Sequence, residues 1–222
     1  MLRSLLEQTL PYDLRTPLGT ILSGARTLVD DAQTLDPTRL REVASGMQQS
    51  ALRMQHMLEQ FLFLMELQLV ASDPSRLALA QAARCTVSAE LLATVSQRVA
   101  LAHHRRAAVR CAISEAPVQM SLEHLCRIVH ELVDNALRFS PPTTCVDVQL
   151  THGPAAMQLC VTNKGRGLTQ EEIAGMQGLP VYGQRGLGLL IVRHLVATYG
   201  GTIHIESAPF ADTCVEVVLP NG

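Results

Sequence analysis

The chain has no tryptophan, and aromatic residues occupy only 3% of its 222 positions. Its core must therefore be packed from Leu, Val, Ala, Ile and Met. Charge is sparse as well, at 17% of residues with a net charge of −2. No long basic run exists, which argues against nucleic acid or an anionic membrane as the main partner. The six cysteines, Cys85, Cys111, Cys126, Cys145, Cys160 and Cys214, show no C-x-x-C pairing and no metal-ligand spacing. Most sit among apolar neighbours, so they read as small buried hydrophobes in a reducing cytoplasm and not as a disulfide framework. No basic-then-apolar leader opens the sequence. The most apolar stretch, from Met57 to Ala71, carries Glu59 and Glu66 and reads as a bundle helix, so no membrane span is expected. Internal repeats and low-complexity tracts are absent too.

What is present is enough apolar material, 47% of residues, for a small unit and a medium one. Leu14, Leu18, Ile21, Leu22, Ala25, Leu28 and Val29 mark one face of a helix over Leu2 to Asp31. Pro17 should kink that helix near residue 13. Asp36-Pro37 signals a second helix start, and Leu40, Val43, Met47, Met54, Leu58, Phe61, Leu62, Met65 and Leu69 mark its face to about Val70. Two such helices joined by a short turn form an antiparallel hairpin. One hairpin cannot cover stripes this wide, so pairing of two hairpins into a four-helix bundle, a homodimer, is expected.

Ser72 to Ser75 reads as a linker, dividing the chain into residues 1–72 and 75–222. The second part reads as mixed α/β. Helices are expected over Leu79 to His103, from the Ser121 cap to Arg138, from near Thr169, and over Gly186 to Tyr199 with a stop at Gly200-Gly201. Strands are expected over Ala107 to Ile113, Cys145 to Thr151, Ala156 to Val161, Thr202 to Glu206 and Thr213 to Leu219.

The run Tyr12-Asp13-Leu14-Arg15-Thr16-Pro17-Leu18 resembles the H-box of bacterial sensor histidine kinases, with Tyr12 where the phosphoaccepting histidine stands. His130-Glu131-Leu132-Val133-Asp134-Asn135-Ala136-Leu137-Arg138-Phe139-Ser140 resembles the N-box of their ATP-binding domain, the Bergerat or GHKL-type fold. Glu131, Asn135 and Arg138 recur at i, i+4 and i+7, one polar stripe of a helix. Asn163-Lys164-Gly165-Arg166-Gly167 resembles the G1 box, with Asn163 in place of Asp. Gly183 to Leu189, with Gly186 and Gly188, resembles the G2 box. The resemblance implies an α+β chain, a helical hairpin followed by an α/β-sandwich nucleotide domain. It implies ATP or ADP with Mg²⁺ on Asn135, Glu131 polarising the acceptor, Arg138 on phosphate and Asn163 on the adenine amino group.

The departures weaken that chemistry. Tyrosine phosphate is a poor donor to an aspartate, and the phenol, with a reference pKa of about 10, is mostly protonated. Asp13 beside it opposes ionisation further. A neutral amide at 163 gives up about 1–2 kcal/mol against a carboxylate, so nucleotide binding is expected to be weak or lost. Thr16 holds the place from which family members orient a dephosphorylating water; it also reads as a capping hydroxyl before Pro17. His56, His103 and His104 read as solvent-facing, and His124 and His130 as flanking the N-box helix without chemistry. Three functions follow as expectations: a dimeric pseudokinase docking a response regulator receiver domain or a partner kinase; a response-regulator phosphatase using Thr16; and an autokinase with an atypical acceptor.

Overall fold

The computed structural model describes residues 2–31, 33–105, 108–115, 117–177 and 187–221, and for residues 2–13 and 174–177 the backbone alone. Two compact units divide at Phe63 and Leu64. In the first unit, α1 spans Leu2–Asp30 and continues through Pro17 without ending. The second helix, α2, spans Pro37–Ser72, so its last turns, with buried Leu64 and Leu67, count with the second unit. Its start is built as the Asp-Pro signal dictates: Asp36 Oδ1 accepts from the N–H groups of Thr38 and Arg39 at 2.8 and 3.0 Å. Those backbone donors hold the Asp36 carboxyl below its ordinary pKa.

The hairpin helices meet at Gly24, where a Cβ would press on the Met47 and Val43 side chains. Much of the apolar stripe stays uncovered within the chain. Leu22, Val29, Leu58, Leu62 and Leu69 are all exposed, Val29 by 78%.

In the second unit the region before the sheet corrects the sequence reading. Asp73-Pro74 is a helix start, not a linker: Asp73 Oδ1 accepts from Ser75 and Arg76 N–H, opening α3 (Pro74–Gln81). The expected single helix over Leu79 to His103 is broken. Strand β1 (Cys85–Thr86) intervenes, and Ser88 caps a separate α4 over Ala89–Ala102. The Arg84 guanidinium donates to the Gln81 and Ala83 carbonyls at 2.9 Å, satisfying the end of α3 and making room for the break.

Beyond that point come β2 (Val109–Ile113), β3 (Pro117–Val118), α5 (Leu122–Arg138), β4 (Val146–His152), β5 (Ala156–Lys164), α6 (Gln170–Gln177), α7 (Leu187–Thr198), β6 (Thr202–Glu206) and β7 (Asp212–Pro220). The main sheet has the order β2-β4-β5-β7-β6, parallel only between β2 and β4; β1 and β3 form a small separate pair. Along β5, Met157, Leu159, Val161 and Asn163 are buried in strict alternation, so the inward face of an apolar strand ends in an amide. Helix α5 buries Leu125, Ile128, Leu132 and Leu137 and packs against β4 and β5. Helix α7 ends as expected: Gly200 adopts φ +70° and Gly201 N–H donates to the Val196 carbonyl.

Cysteine usage is a second correction. Cys160 and Cys214, on neighbouring strands with Cα atoms 6.4 Å apart, are joined as a disulfide. Their separation of 54 residues left no spacing signal. The other four are free and half-buried, not buried; burial pushes the Cys85, Cys111 and Cys126 thiols above their ordinary pKa. Among the described residues no helix is long and apolar enough to cross a membrane.

Candidate functional site

Three pieces of the second unit converge: the carboxyl-terminal end of α5, the turn after β5, and the hairpin tip between β6 and β7. A Cβ on Gly165 would strike the Phe139 carbonyl just beyond α5, and Gly165 also lies against the Asn163 amide. Gly167 adopts φ +68°, and a Cβ there would collide with the Ala208 carbonyl in the hairpin tip. Both positions therefore demand glycine, one for closeness and one for conformation as well. The Phe210 N–H donates to the Arg166 carbonyl at 2.8 Å, tying the same two pieces again.

Asn163 is 7% exposed, and none of the described hydrogen bonds holds its amide. Across the strand it pairs with Thr213, also buried, so both side chains occupy one face. The Thr213 and Ser207 hydroxyls lie 2.6 Å apart, and Ser207 Oγ accepts from the Leu168 N–H at 2.9 Å. Thr213 and Ser207 were missed from sequence, although the alternation Thr213, Val217, Leu219 could have placed Thr213 on the inward face.

The α5 stripe runs from interior to surface. Glu131 is 1% exposed and ion-paired to Arg127 at 2.8 Å. Asn135 is half-buried, and none of the described side-chain hydrogen bonds holds its amide. Arg138, on the outer turn, is ion-paired to Asp134. Asp134 also meets His103 Nε2 at 2.8 Å, which corrects the solvent-facing reading of His103; His56 is half-buried too, and His104 is exposed. His124 is likewise engaged, its Nδ1 2.7 Å from the Tyr199 hydroxyl, and burial pulls its pKa below the usual value.

Arg105 is the larger omission. Its guanidinium donates to five oxygens: the Leu137, Ser140, Pro141 and Thr144 carbonyls and the Ser140 hydroxyl, at 2.6–3.1 Å. It thereby closes the end of α5 and shapes the turn whose Phe139 carbonyl abuts Gly165. On the far side of the glycine turn, Thr169 and Glu172 form a capping box for α6, and Arg166 bonds Glu172 at 2.6 Å. That ion pair and the Thr169 N–H hold the Glu172 carboxyl below its ordinary pKa.

Residues 120–222 match the family described as "Histidine kinase-, DNA gyrase B-, and HSP90-like ATPase". That part of the chain is a domain of this ATPase family, and the chain over most of its length is similar to sensor histidine kinases. Its relatives include the methanogenesis regulatory histidine kinase FilI of Methanothrix harundinacea, 24% identical over 96% of this chain and 24% of the relative. The sensor protein IrlS of Burkholderia pseudomallei is 27% identical over 95% of this chain and 46% of its own length. The chain thus spans a quarter to about half of these relatives. Among solved structures, the Acinetobacter baumannii histidine kinase AdeS aligns with a TM-score of 0.66 at 14% identity, over 95% of this chain and 98% of that one, which shows the fold. The mycobacterial sensor histidine kinase MprB aligns at 0.53 and 25% identity, over 63% of this chain and 98% of that one.

Within the chain the candidate residues fall into separate groups. Glu131, Asn135, Arg138, Asn163, Gly165 and Gly167 belong to the second unit, and the last three form one turn against the end of α5. Gly188 is buried in the first turn of α7, and Gly186 lies outside the described residues. In the first unit, Tyr12 and Asp13 are helical with side chains outside the described set. Thr16 is exposed and lines a groove of about 630 Å³ between α1 and α2 with Gly19, Ser23 and Met47.

Proposed function

We propose that this chain is a degenerate histidine kinase core, a pseudokinase of two-component signalling. It acts as a dimer that docks a response regulator receiver domain or a partner kinase through residues 1–72. Residues 75–222 form the nucleotide domain, with weakened binding of ATP or ADP. The observation that carries this reading is Tyr12, a phenol inside α1 at the place of the phosphoacceptor, followed by Asp-Leu-Arg-Thr-Pro-Leu. A tyrosine phosphate ester is a poor phosphoryl donor to an aspartate, so a phenol at this position does not replace imidazole as a relay for activated phosphate. The uncovered leucines of the hairpin support pairing with a second copy. Loss of the charged base acceptor at Asn163 and the Asp134 ion pair on Arg138 support weakened nucleotide affinity.

Magnesium fits the site in one limited way. The half-buried Asn135 amide offers one oxygen, and among the described residues no cluster of three carboxylate, imidazole or thiol groups competes for a metal. Mg²⁺ held by one amide, water and the nucleotide's own phosphates is the arrangement such a site admits.

The test is incubation with radiolabelled ATP of the chain and of its Tyr12→His form, alongside ATP titration. Unlabelled Tyr12 protein that still associates with a receiver domain is the expected outcome. Label at Tyr12 that passes to an aspartate would overturn it.

One observation favours a second activity. Thr16 lies inside α1, exposed, on the wall of the groove. On this reading its hydroxyl orients water on a docked phosphoaspartate. Thr16→Ala should then slow loss of label from a phosphorylated receiver domain, and an unchanged rate would remove the phosphatase reading.

A further inference from the structure

Where β5 and β7 end side by side, the buried polar residues of the inward face, Asn163 and Thr213, are both uncharged. Asn163 closes the inward face of β5, nine-tenths buried, with an amide that no described hydrogen bond engages. Asp147, on the adjoining strand, belongs to the opposite face of β4 from Val146 and Val148 and is taken by Arg110 at 2.6 Å. A carboxamide presents a donor and an acceptor side by side, and half a turn about its last torsion exchanges them.

The second polar element here behaves the same way. The Ser207 and Thr213 hydroxyls share one hydrogen bond that can run in either direction. With Leu168 N–H donating into Ser207 Oγ, the pair can present Thr213 to a ligand as donor or as acceptor. The glycine turn that follows Asn163 is held in place against the Phe139 and Ala208 carbonyls, since neither Gly165 nor Gly167 tolerates a side chain.

Adenine shows an amino donor beside a ring-nitrogen acceptor. Guanine and hypoxanthine show a carbonyl acceptor beside a ring N–H donor. A carboxylate can only accept: it takes a hydrogen bond from the amino group of the first edge and repels the carbonyl oxygen of the second, whereas the amide and the reversible hydroxyl pair can meet either 6-substituent. We propose that Asn163 makes this site indifferent between 6-amino and 6-oxo purines, so that it takes guanine and hypoxanthine nucleotides as well as adenine nucleotides. This rests on the reading of residues 75–222 as a nucleotide domain.

The experiment is calorimetric titration of the chain with the magnesium complexes of ADP, GDP and IDP, repeated on Asn163→Asp and Asn163→Ala. The three affinities of the unaltered chain should agree within about threefold. Asn163→Asp should tighten ADP and weaken GDP and IDP, opening a gap of at least about tenfold, the worth of one charged hydrogen bond gained or lost. Asn163→Ala should weaken all three alike with its circular dichroism spectrum unchanged, which separates the effect from a general loss of structure. Binding of ADP with GDP and IDP more than about tenfold weaker in the unaltered chain would overturn the inference and leave the nucleotide reading standing. Binding of none of the three would overturn both.

Discussion

The two units handle apolar surface in opposite ways. In the α/β unit, Leu132, Val148, Leu159, Ile191 and Leu219 are at most 2% exposed, each covered by neighbours from several elements. In the hairpin, Leu22, Leu62 and Val29 are 53–78% exposed at positions of the two apolar stripes that should be inward. Apolar content alone therefore does not say whether a segment is finished. The second unit closes on itself; among the described residues the first leaves much of its apolar stripe uncovered, which is the surface the proposed pairing would bury.

The contrast can be broken most sharply by matched truncations. Leu159→Ala, in the middle of β5, should cost about 2–5 kcal/mol in urea unfolding, because the surrounding sheet and α5 cannot collapse into the space. Leu62→Ala in the hairpin should cost under about 0.5 kcal/mol in the same assay at low protein concentration. Equal losses would mean the hairpin has its own core. Arg105→Ala comes next, at about 2–3 kcal/mol, since it strands buried carbonyls at the end of α5. Hydrogen exchange should then rise over residues 139–146 while β5 amides stay protected.

Charging the uncovered stripe sharpens the comparison from the other side. Leu22→Glu with Leu62→Glu should convert a dimer to a monomer by light scattering and leave the heat-unfolding transition of the α/β unit in place. The smallest effect is a pH dependence confined to the second unit. Burial depresses the His124 pKa in the folded chain, so below the ordinary value of 6.5 the unfolded chain takes up a proton first. Stability should be full above that pH and fall as pH drops toward the folded-state value, despite the partial opposition of Glu123 and Glu66. Thermal melts between pH 7 and 5 should show this, and His124→Asn should flatten the slope.

Local signals carried much of the fold. The Asp36-Pro37 start, the Ser121 cap, the β5 alternation and the Gly200-Gly201 stop are each short-range chemistry, and each stands where expected. Asp73-Pro74 is the instructive departure: it carries the same start signal as Asp36-Pro37 and opens α3 where the sequence reads as a linker. Of the site, the glycine turn and the α5 stripe were legible because spacing defines them. Arg105, His103, Ser207 and Thr213 were not, because each acts on groups brought near only by tertiary folding. Arg105 reaches oxygens 32 to 39 residues away. The Cys160–Cys214 pairing was hidden for the same reason, as strand register alone sets it.

The Arg105 fork has one more consequence. It knots the segment from Leu137 to Thr144 with a cation that no cellular pH discharges and no reductant can cut. The disulfide between β5 and β7 depends on the oxidation state of its surroundings. The floor under the glycine turn is thus indifferent to where in the cell, or outside it, the chain is sent.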